Sequence, residues 1–184
     1  VREVRVSDAP APLRAPQDEG HRTPLGGGSG GHVAVEVPGG GGVRGVPLYA
    51  VLIALEIEGQ VEVGVSYFPA LNEMVAAATG EGCWLNGRRV RVSPVTRLDR
   101  AIVSFTDAGS FARHGRAQAW DRIRQATYFQ TGWGDAYGHC LVATGRVELM
   151  LDPIMSVWDC GPFPPILKEA GGYFGDWQGN PTIR

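Results

Sequence analysis

A pair of apolar runs joined by a short turn is the feature that most constrains the fold of this chain. Residues 48–57 are almost continuously apolar, residues 61–67 alternate apolar with polar side chains, and Glu58-Gly59-Gln60 lies between them. Alternation with a period of two is typical of a strand with one buried face, and a short glycine-containing turn joins antiparallel strands. Three more strand-sized segments follow at 74–79, 82–85 and, after the turn dipeptide Asn86-Gly87, 88–92. This part of the chain is therefore predicted to form an antiparallel sheet.

Strands and helices alternate in the second part of the chain. Strands are predicted at 101–105, 128–130 and 147–151, helices at 114–126, at 135–144 and after Asp159, and a last short strand at Tyr173-Phe174. Such alternation favours a layered α/β sheet whose functional sites lie at the ends of strands. The predicted fold class is therefore α/β (α+β in layers), with an antiparallel sheet region at 43–100 and an α/β region at 101–184.

The composition changes abruptly near Val43. Residues 1–42 contain strings such as Ala9-Pro10-Ala11-Pro12 and four consecutive glycines at 39–42, with almost no large apolar side chains. A segment of this kind cannot bury enough surface to offset the conformational entropy that ordering would cost. We therefore expect a Gly/Pro-rich, mostly disordered segment at 1–42 and one folded domain at 43–184.

The charge and the cysteines exclude several classes of function. A net charge of -2 gives no basic footprint for nucleic acid or for an anionic membrane surface. The apolar runs are only strand-sized, and the N-terminus lacks the apolar core of a signal peptide. Cys83, Cys140 and Cys160 include no Cys-x-x-Cys pair, so reduced thiols in a cytoplasm are expected.

The segment Val157–Gly172 places one acidic side chain at the start of a predicted helix. Asp159 precedes an apolar run that includes Phe163 and Ile166, and Gly171 stands where a left-handed helix cap belongs. A carboxylate in this place can cap the helix, ligate a hard cation, or do both.

Trp158-Asp159 at the head of this segment and Glu169-Ala170-Gly171-Gly172 at its tail resemble the C-terminal signature of the inositol monophosphatase family of magnesium-dependent phosphatases. Segments similar to ones that recur across the family lie at 44–50, 80–87 and 141–145. Segments similar to its histidinol-phosphatase type lie at 132–139, 151–155 and 175–179. The resemblance extends from about Val43 to the C-terminus.

This resemblance implies alternating helical and sheet layers around a metal site that hydrolyses a small-molecule phosphate monoester with Mg²⁺ as cofactor. It assigns Asp159 as a metal ligand and catalytic residue, and it implies a homodimer. Residues Gly134, Asp135, Ala136 and Asp152 would bind the substrate. No residue is assigned to any other cofactor. An acidic Asp135 could bind the cationic amine or imidazolium of histidinol phosphate, whereas an inositol ring offers no charge.

Each acidic residue also has a purely structural interpretation. Asp159 and Asp135 can be N-caps, and Asp152 can form a turn with the proline that follows it. We expect His139 to be a hydrogen-bonded structural residue and Glu169 to be solvated. The indoles of Trp84, Trp120 and Trp177 are expected to serve packing rather than ligand binding.

Upstream of Val43 the sequence departs from the family pattern. Family members carry an Asp-Pro-x-Asp-Gly-Thr motif there, and a Glu-Glu pair before it, whereas residues 34–39 have a single carboxylate and no threonine. We hypothesise that about the first forty residues are a mistranslated or replaced stretch and that both ends are truncated.

Prolines at 162, 164 and 165 are expected to delay or bend the helix after Asp159.

Three functions therefore stay open. The first is a Mg²⁺-dependent histidinol-phosphatase of histidine biosynthesis. The second is a phosphatase of inositol or other sugar phosphates. The third is an inactive fragment that lacks most metal ligands and serves at most as a dimer partner or binding module.

Overall fold

A computed structural model of the chain describes residues 45–183. The predicted disordered segment at 1–42, and the hypothesis of a replaced N-terminus, lie outside the described residues. Within the described part, no helix is long and apolar enough to cross a membrane. The three cysteines there are buried and form no disulfide.

The first sheet is an antiparallel meander, as the turn spacing predicts. Its strands follow one another in sequence order: β1 (Val51–Ile57), β2 (Gln60–Phe68), β3 (Glu73–Ala78), β4 (Gly82–Leu85) and β5 (Arg88–Val90). Positive φ angles of 50° at Glu58 and 79° at Gly59 give the β1–β2 turn the twist that suits an antiparallel hairpin. The β4–β5 turn does the same with 47° at Asn86 and 77° at Gly87. Local turn chemistry therefore fixes the register of this sheet.

The second sheet is parallel and has the order β7-β6-β8. Its strands are β6 (Ile102–Phe105), β7 (Phe129–Thr131) and β8 (Leu149–Leu151). The crossover from β6 to β7 contains α1 (Ala108–Arg113) and α2 (Ala117–Ala126), and the crossover from β7 to β8 contains α3 (Asp135–Ala143). Because the strands run in one direction, the segments that leave their carboxyl ends meet at one edge of the sheet.

Two further helices complete the layers, α4 (Val157–Cys160) and α5 (Phe163–Glu169). Helix α5 packs on β2, β3 and β4 of the first sheet, and α3 packs on α5 and on β8 and β6 of the second. The buried core joins the first sheet, the helices α3 and α5, and the second sheet. Its fully buried large side chains include Leu52, Phe68, Val75, Phe163 and Ile166. The α/β fold class and its alternating sheet and helix layers are therefore confirmed.

The close approach of the first sheet to the α4–α5 junction depends on a glycine. Gly64 lies in β2, and a Cβ atom built on it would collide with the backbone carbonyl oxygen of Pro162. Pro162 is the N-cap of α5, and prolines follow in the first turn of that helix. The predicted interruption of the helix after Asp159 is therefore present as a break between α4 and α5. This break sets the position of α4, which carries Asp159.

One prediction about local structure is incomplete and another is wrong. The helix predicted at 114–126 is present as α2 but begins at Ala117. A separate helix, α1, precedes it, and Asp107 caps α1 by accepting a hydrogen bond from the Gly109 amide. Gly115, at φ 70°, separates α1 from α2. Tyr173-Phe174 is not a strand; the Tyr173 hydroxyl instead donates to the carbonyl of Gly179 at 2.6 Å.

The prediction that Glu169 is a solvated residue is incomplete, because its partly exposed carboxylate is also hydrogen-bonded to distant backbone. Its two carboxylate oxygens accept hydrogen bonds from the amides of Gly80 (2.9 Å) and Gly82 (2.8 Å), in the turn between β3 and β4. These amide donors lower the pKa of Glu169. The carboxylate therefore ties the end of α5 to the first sheet, a contact between residues far apart in sequence.

We expect Gly64→Ala to lower the free energy of unfolding by about 1–3 kcal/mol, because the added methyl group meets backbone that cannot rotate away. Urea denaturation followed by circular dichroism measures the change. Gly109→Ala is the matched control, since its nearest neighbour is the flexible end of Arg113 and alanine suits a helix. Equal stability of the two variants would contradict the proposed close approach.

Candidate functional site

A cleft of about 320 Å³ opens at the carboxyl ends of the parallel strands. Thr106 follows β6, Asp152 follows β8, and Asp135 begins the helix that leaves β7. Asp159, from α4, completes the lining with the other three. The fold therefore brings together the three acidic residues that were predicted separately from sequence, at the strand ends where a site was expected.

Asp159 combines the two interpretations that the sequence left open. Its Oδ2 accepts a hydrogen bond from the Ser156 amide at 3.0 Å, which caps α4. Its Oδ1 is buried and has no hydrogen-bond partner among residues 45–183. A buried polar atom without a partner costs free energy, so it marks a place where a further group would bind. One oxygen is thus used by the backbone and the other remains available.

Asp152 is anchored through both its side chain and its backbone. The Thr106 amide donates to its Oδ1 at 3.3 Å, and the Trp177 indole donates to its carbonyl oxygen at 2.9 Å. Burial raises the pKa of Asp152 to about 7, and the charges of Asp135 and Asp159 add to the rise. The Thr106 hydrogen bonds act in the opposite direction. In the absence of a cation, this carboxyl group therefore titrates near neutral pH.

Asp135 lies in strained backbone at the start of α3. Its φ angle is 38°, in the left-handed region that few residues other than glycine adopt, and Trp133 is close by at 61°. Gly134 rather than Asp135 occupies the N-cap position, while the Asp135 amide donates to the Thr106 hydroxyl at 3.1 Å. Burial raises the pKa of Asp135, and the Asp159 charge adds to this. The plain N-cap interpretation of Asp135 is therefore wrong.

The neighbours of Asp135 differ in position. Ala136 is buried and lines the cleft. Gly134 is buried outside the lining of the cleft, and a Cβ atom built on it would be 2.6 Å from the Ser104 hydroxyl and 2.7 Å from the Met150 sulfur. Glycine is therefore required there for close packing of α3 on the parallel sheet, and a direct substrate contact by Gly134 stays a prediction.

Sequence reasoning missed four residues that also line the cleft: Thr106, Asp107, Ser110 and Arg113. Thr106 connects two of the acidic residues, since its amide donates to Asp152 and its hydroxyl accepts from Asp135. Asp107 forms an exposed ion pair with Arg113 at the mouth of the cleft. The available signal was position, because Thr106-Asp107 directly follows a predicted strand of the parallel sheet.

His139 does not have the hydrogen bonding that was expected of it. The residue is 4% exposed, its ring stacks on Phe163 with 4.4 Å between centroids, and its Nε2 has no partner among the described residues. Burial lowers the pKa of His139 to about 3, so the ring is neutral. It lines a second cavity of about 600 Å³, which also reaches Asp152 and Trp177. The prediction of a structural residue is consistent with this burial, but the prediction that its ring is hydrogen-bonded is wrong for Nε2.

The donors present fit part of a metal site. The orphaned Oδ1 of Asp159 is a hard anionic oxygen at an acidic cleft, which suits Mg²⁺. Within residues 45–183, however, no group of three His, Cys, Asp or Glu side chains is spaced to hold a metal ion. The described residues therefore fit one ligand position rather than a complete coordination sphere.

Comparison with known proteins shows the family of this chain. The profile of the Inositol monophosphatase family matches residues 42–183. A histidinol-phosphatase of Chlorobaculum parvum is 43% identical over 141 residues, which cover 77% of this chain and 54% of that protein. A histidinol-phosphatase of Mycobacterium tuberculosis is 36% identical over 135 residues, covering 71% of this chain and 52% of that protein.

The solved structures agree at the level of the fold. An inositol monophosphatase from Zymomonas mobilis superposes with a TM-score of 0.72 and 26% sequence identity, covering 76% of this chain and 55% of that one. The fold and the site together define the class of protein: it has a layered α/β fold, with carboxylates at the ends of its parallel strands. This chain belongs to the inositol monophosphatase family, and its similarity to the histidinol-phosphatase type is confirmed. It spans about half the length of the curated relatives that it matches.

The raised pKa of Asp152 has a measurable effect on stability in the metal-free chain. The folded state keeps a proton that the unfolded state releases, so the free energy of unfolding falls as pH rises from about 4 to about 7. Asp152→Asn removes this titration. We therefore expect the stability of the variant relative to wild type to increase over that range, measured by urea denaturation in EDTA.

Asp99→Asn is the control for this experiment. Hydrogen bonding to Arg97 lowers the pKa of Asp99, so its stabilising contribution is complete above about pH 5 and is lost only on further acidification. Its difference from wild type should be constant between about pH 5 and 7. A similarly flat profile for Asp152→Asn would show that Asp152 is ionised throughout.

Proposed function

We propose that this protein is a Mg²⁺-dependent phosphate monoester hydrolase whose substrate is L-histidinol phosphate. The observation that carries the proposal is the cleft itself: three aspartates converge on it, and Asp159 keeps one buried carboxylate oxygen without a partner. The family and the names of the two histidinol-phosphatase relatives support the reaction class and the substrate.

Asp159 acts at the phosphate end of the substrate. The Ser156 amide holds Oδ2 and thereby orients the carboxylate, and Oδ1, which has no partner among the described residues, would be the oxygen that holds the cation. When bound, Mg²⁺ activates a water molecule and neutralises charge on the leaving oxygen. The contribution of this chain is a fixed anionic ligand whose orientation is set before the substrate arrives, which avoids reorganisation during the reaction.

Asp135 and Asp152 act at the other end of the substrate. Both are half-buried, and the only cationic side chain that lines the described cleft, Arg113, is already paired with Asp107. A ligand that carries an ammonium or imidazolium group would compensate this negative charge. Histidinol phosphate has such groups, whereas inositol phosphate would offer only hydroxyl groups to the same carboxylates. This difference favours histidinol phosphate over a sugar phosphate.

The finer biological setting follows from the same proposal. Hydrolysis of histidinol phosphate would place the protein in histidine biosynthesis, and the family resemblance supports a cytoplasmic homodimer. The three buried cysteines without a disulfide are compatible with a reducing compartment. The alternatives of a sugar phosphatase and an inactive binding module are separated from this proposal by the two experiments that follow.

Phosphate release from L-histidinol phosphate in the presence of Mg²⁺ tests the reaction. We expect the full chain to be active and Asp159→Asn to lose at least about a hundredfold in kcat/KM, because even residues that only support metal ligands cost up to that factor. The control is Asp121→Asn, on the exposed face of α2, where the carboxylate pairs only with Arg124. No phosphate release by the wild-type chain, or full activity of Asp159→Asn, would overturn the proposed function and favour the binding module.

The choice of substrate is tested by Asp152→Asn. Loss of one charge-assisted hydrogen bond to the substrate should raise KM for histidinol phosphate about ten- to a hundredfold. KM for inositol monophosphate should change much less, because its ring carries no positive charge. Steady-state kinetics with both substrates gives the two ratios. If both KM values rise equally, Asp152 does not discriminate by charge.

A further inference from the structure

We infer that Trp177 is a positioning residue that fixes Asp152 for recognition of the cationic end of the substrate. This inference rests on the proposed function, because it concerns the selectivity of the same site. It also gives a role to the segment Gly175–Gly179, which the sequence singles out and which lies outside the lining of the carboxylate cleft.

The contact is a hydrogen bond from the indole N–H of Trp177 to the backbone carbonyl of Asp152, with 2.9 Å between the heavy atoms. Asp152 stands directly after β8 and before Pro153, so it has left the ladder of the parallel sheet. Its carboxylate is held by a longer contact of 3.3 Å from the Thr106 amide. The hydrogen bond from the indole is therefore the shorter of these two contacts that orient Asp152.

The indole is itself held in place. Phe111 meets the Trp177 ring edge to face with 6.2 Å between centroids. The guanidinium carbon of Arg116 lies 5.3 Å from the ring centroid, in cation–π distance. Phe111 belongs to an aromatic cluster in which it stacks on Trp120 at 4.6 Å. These contacts limit rotation of the Trp177 side chain, so the direction of its N–H group is fixed before any ligand binds.

The loop that carries Trp177 is built by its own sequence. One carboxylate oxygen of Asp176 accepts from the amides of Gln178 (2.9 Å) and Asn180 (2.8 Å), and the other accepts from the Asn180 side chain. The Tyr173 hydroxyl bonds to the carbonyl of Gly179. The Asp-Trp-Gln-Gly run thus forms a closed turn that presents the indole to Asp152. A packing residue would need the ring alone, whereas a positioning residue needs the N–H group.

Trp177→Phe separates these two roles, because phenylalanine keeps an aromatic ring and removes the N–H donor. We expect KM for L-histidinol phosphate to rise about tenfold, the equivalent of one hydrogen bond, with kcat changed much less. KM for inositol monophosphate should stay near the wild-type value. In an Asp152→Asn background, Trp177→Phe should add no further increase, because the two residues act through one contact.

Trp84→Phe is the matched control. Its indole also donates to a backbone carbonyl, that of Glu81 at 3.0 Å, but it lies in β4 of the other sheet. This variant should keep wild-type KM for both substrates. If Trp177→Phe and Trp84→Phe behave alike while the wild-type chain is active, the positioning role is wrong and the proposed function stands.

Binding of L-histidinol, followed by NMR chemical-shift titration, tests the inference without hydrolysis. The wild-type chain and Trp84→Phe should bind this amine with equal Kd, and Trp177→Phe should bind about tenfold more weakly. This pattern would support the role of Trp177 even if no phosphate were released and the proposed function failed. Equal Kd for all three proteins, or no binding by the wild-type chain, would overturn the inference.

Discussion

The convergence of three aspartates on one half-buried cleft is the constraint on which the rest of the structure depends. Burial raises the pKa of Asp135 and of Asp152, and the nearby charge of Asp159 adds to the rise at both. Such a cluster persists only where the backbone holds each member in place. Thr106 does so for two of them, by donating its amide to Asp152 and accepting from the amide of Asp135. The Ser156 amide holds the third.

The layered fold supplies the rigidity that this arrangement needs. Parallel strands bring the segments after β6, β7 and β8 to one edge, and α3 and α5 fix those segments against the antiparallel sheet. Two glycines permit the close approach: Gly64 admits the α4–α5 junction, and Gly134 lets α3 meet Ser104 and Met150. Neither glycine has to contact a ligand to matter, because each sets the position of a helix that carries a carboxylate.

Local signals in the sequence were enough for most of the fold and for the acidic residues of the site. Turns such as Glu58-Gly59 and Asn86-Gly87 specify hairpins through backbone angles that their own residues adopt, so the antiparallel sheet was predictable. Contacts between residues far apart in sequence were not predictable. Glu169 ties α5 to the first sheet because the amides of Gly80 and Gly82 lie next to its carboxylate. The pattern of apolar and polar residues in the sequence does not indicate this contact. Trp177 reaches Asp152 in the same way, across 25 residues of sequence.

The charge balance of the cleft favours a cationic ligand. Arg113 is paired with Asp107, so the described lining leaves the three aspartates without a positive partner of their own. Burial of Asp152 and the charges of its two neighbours raise its pKa to about 7, so that protonation competes with ionisation near neutral pH. A metal ion or an ammonium group placed beside the carboxylates favours their ionised form and displaces that proton. Binding of cations and loss of protons are therefore linked, and affinity for a cationic ligand should increase as pH rises through the range in which Asp152 titrates.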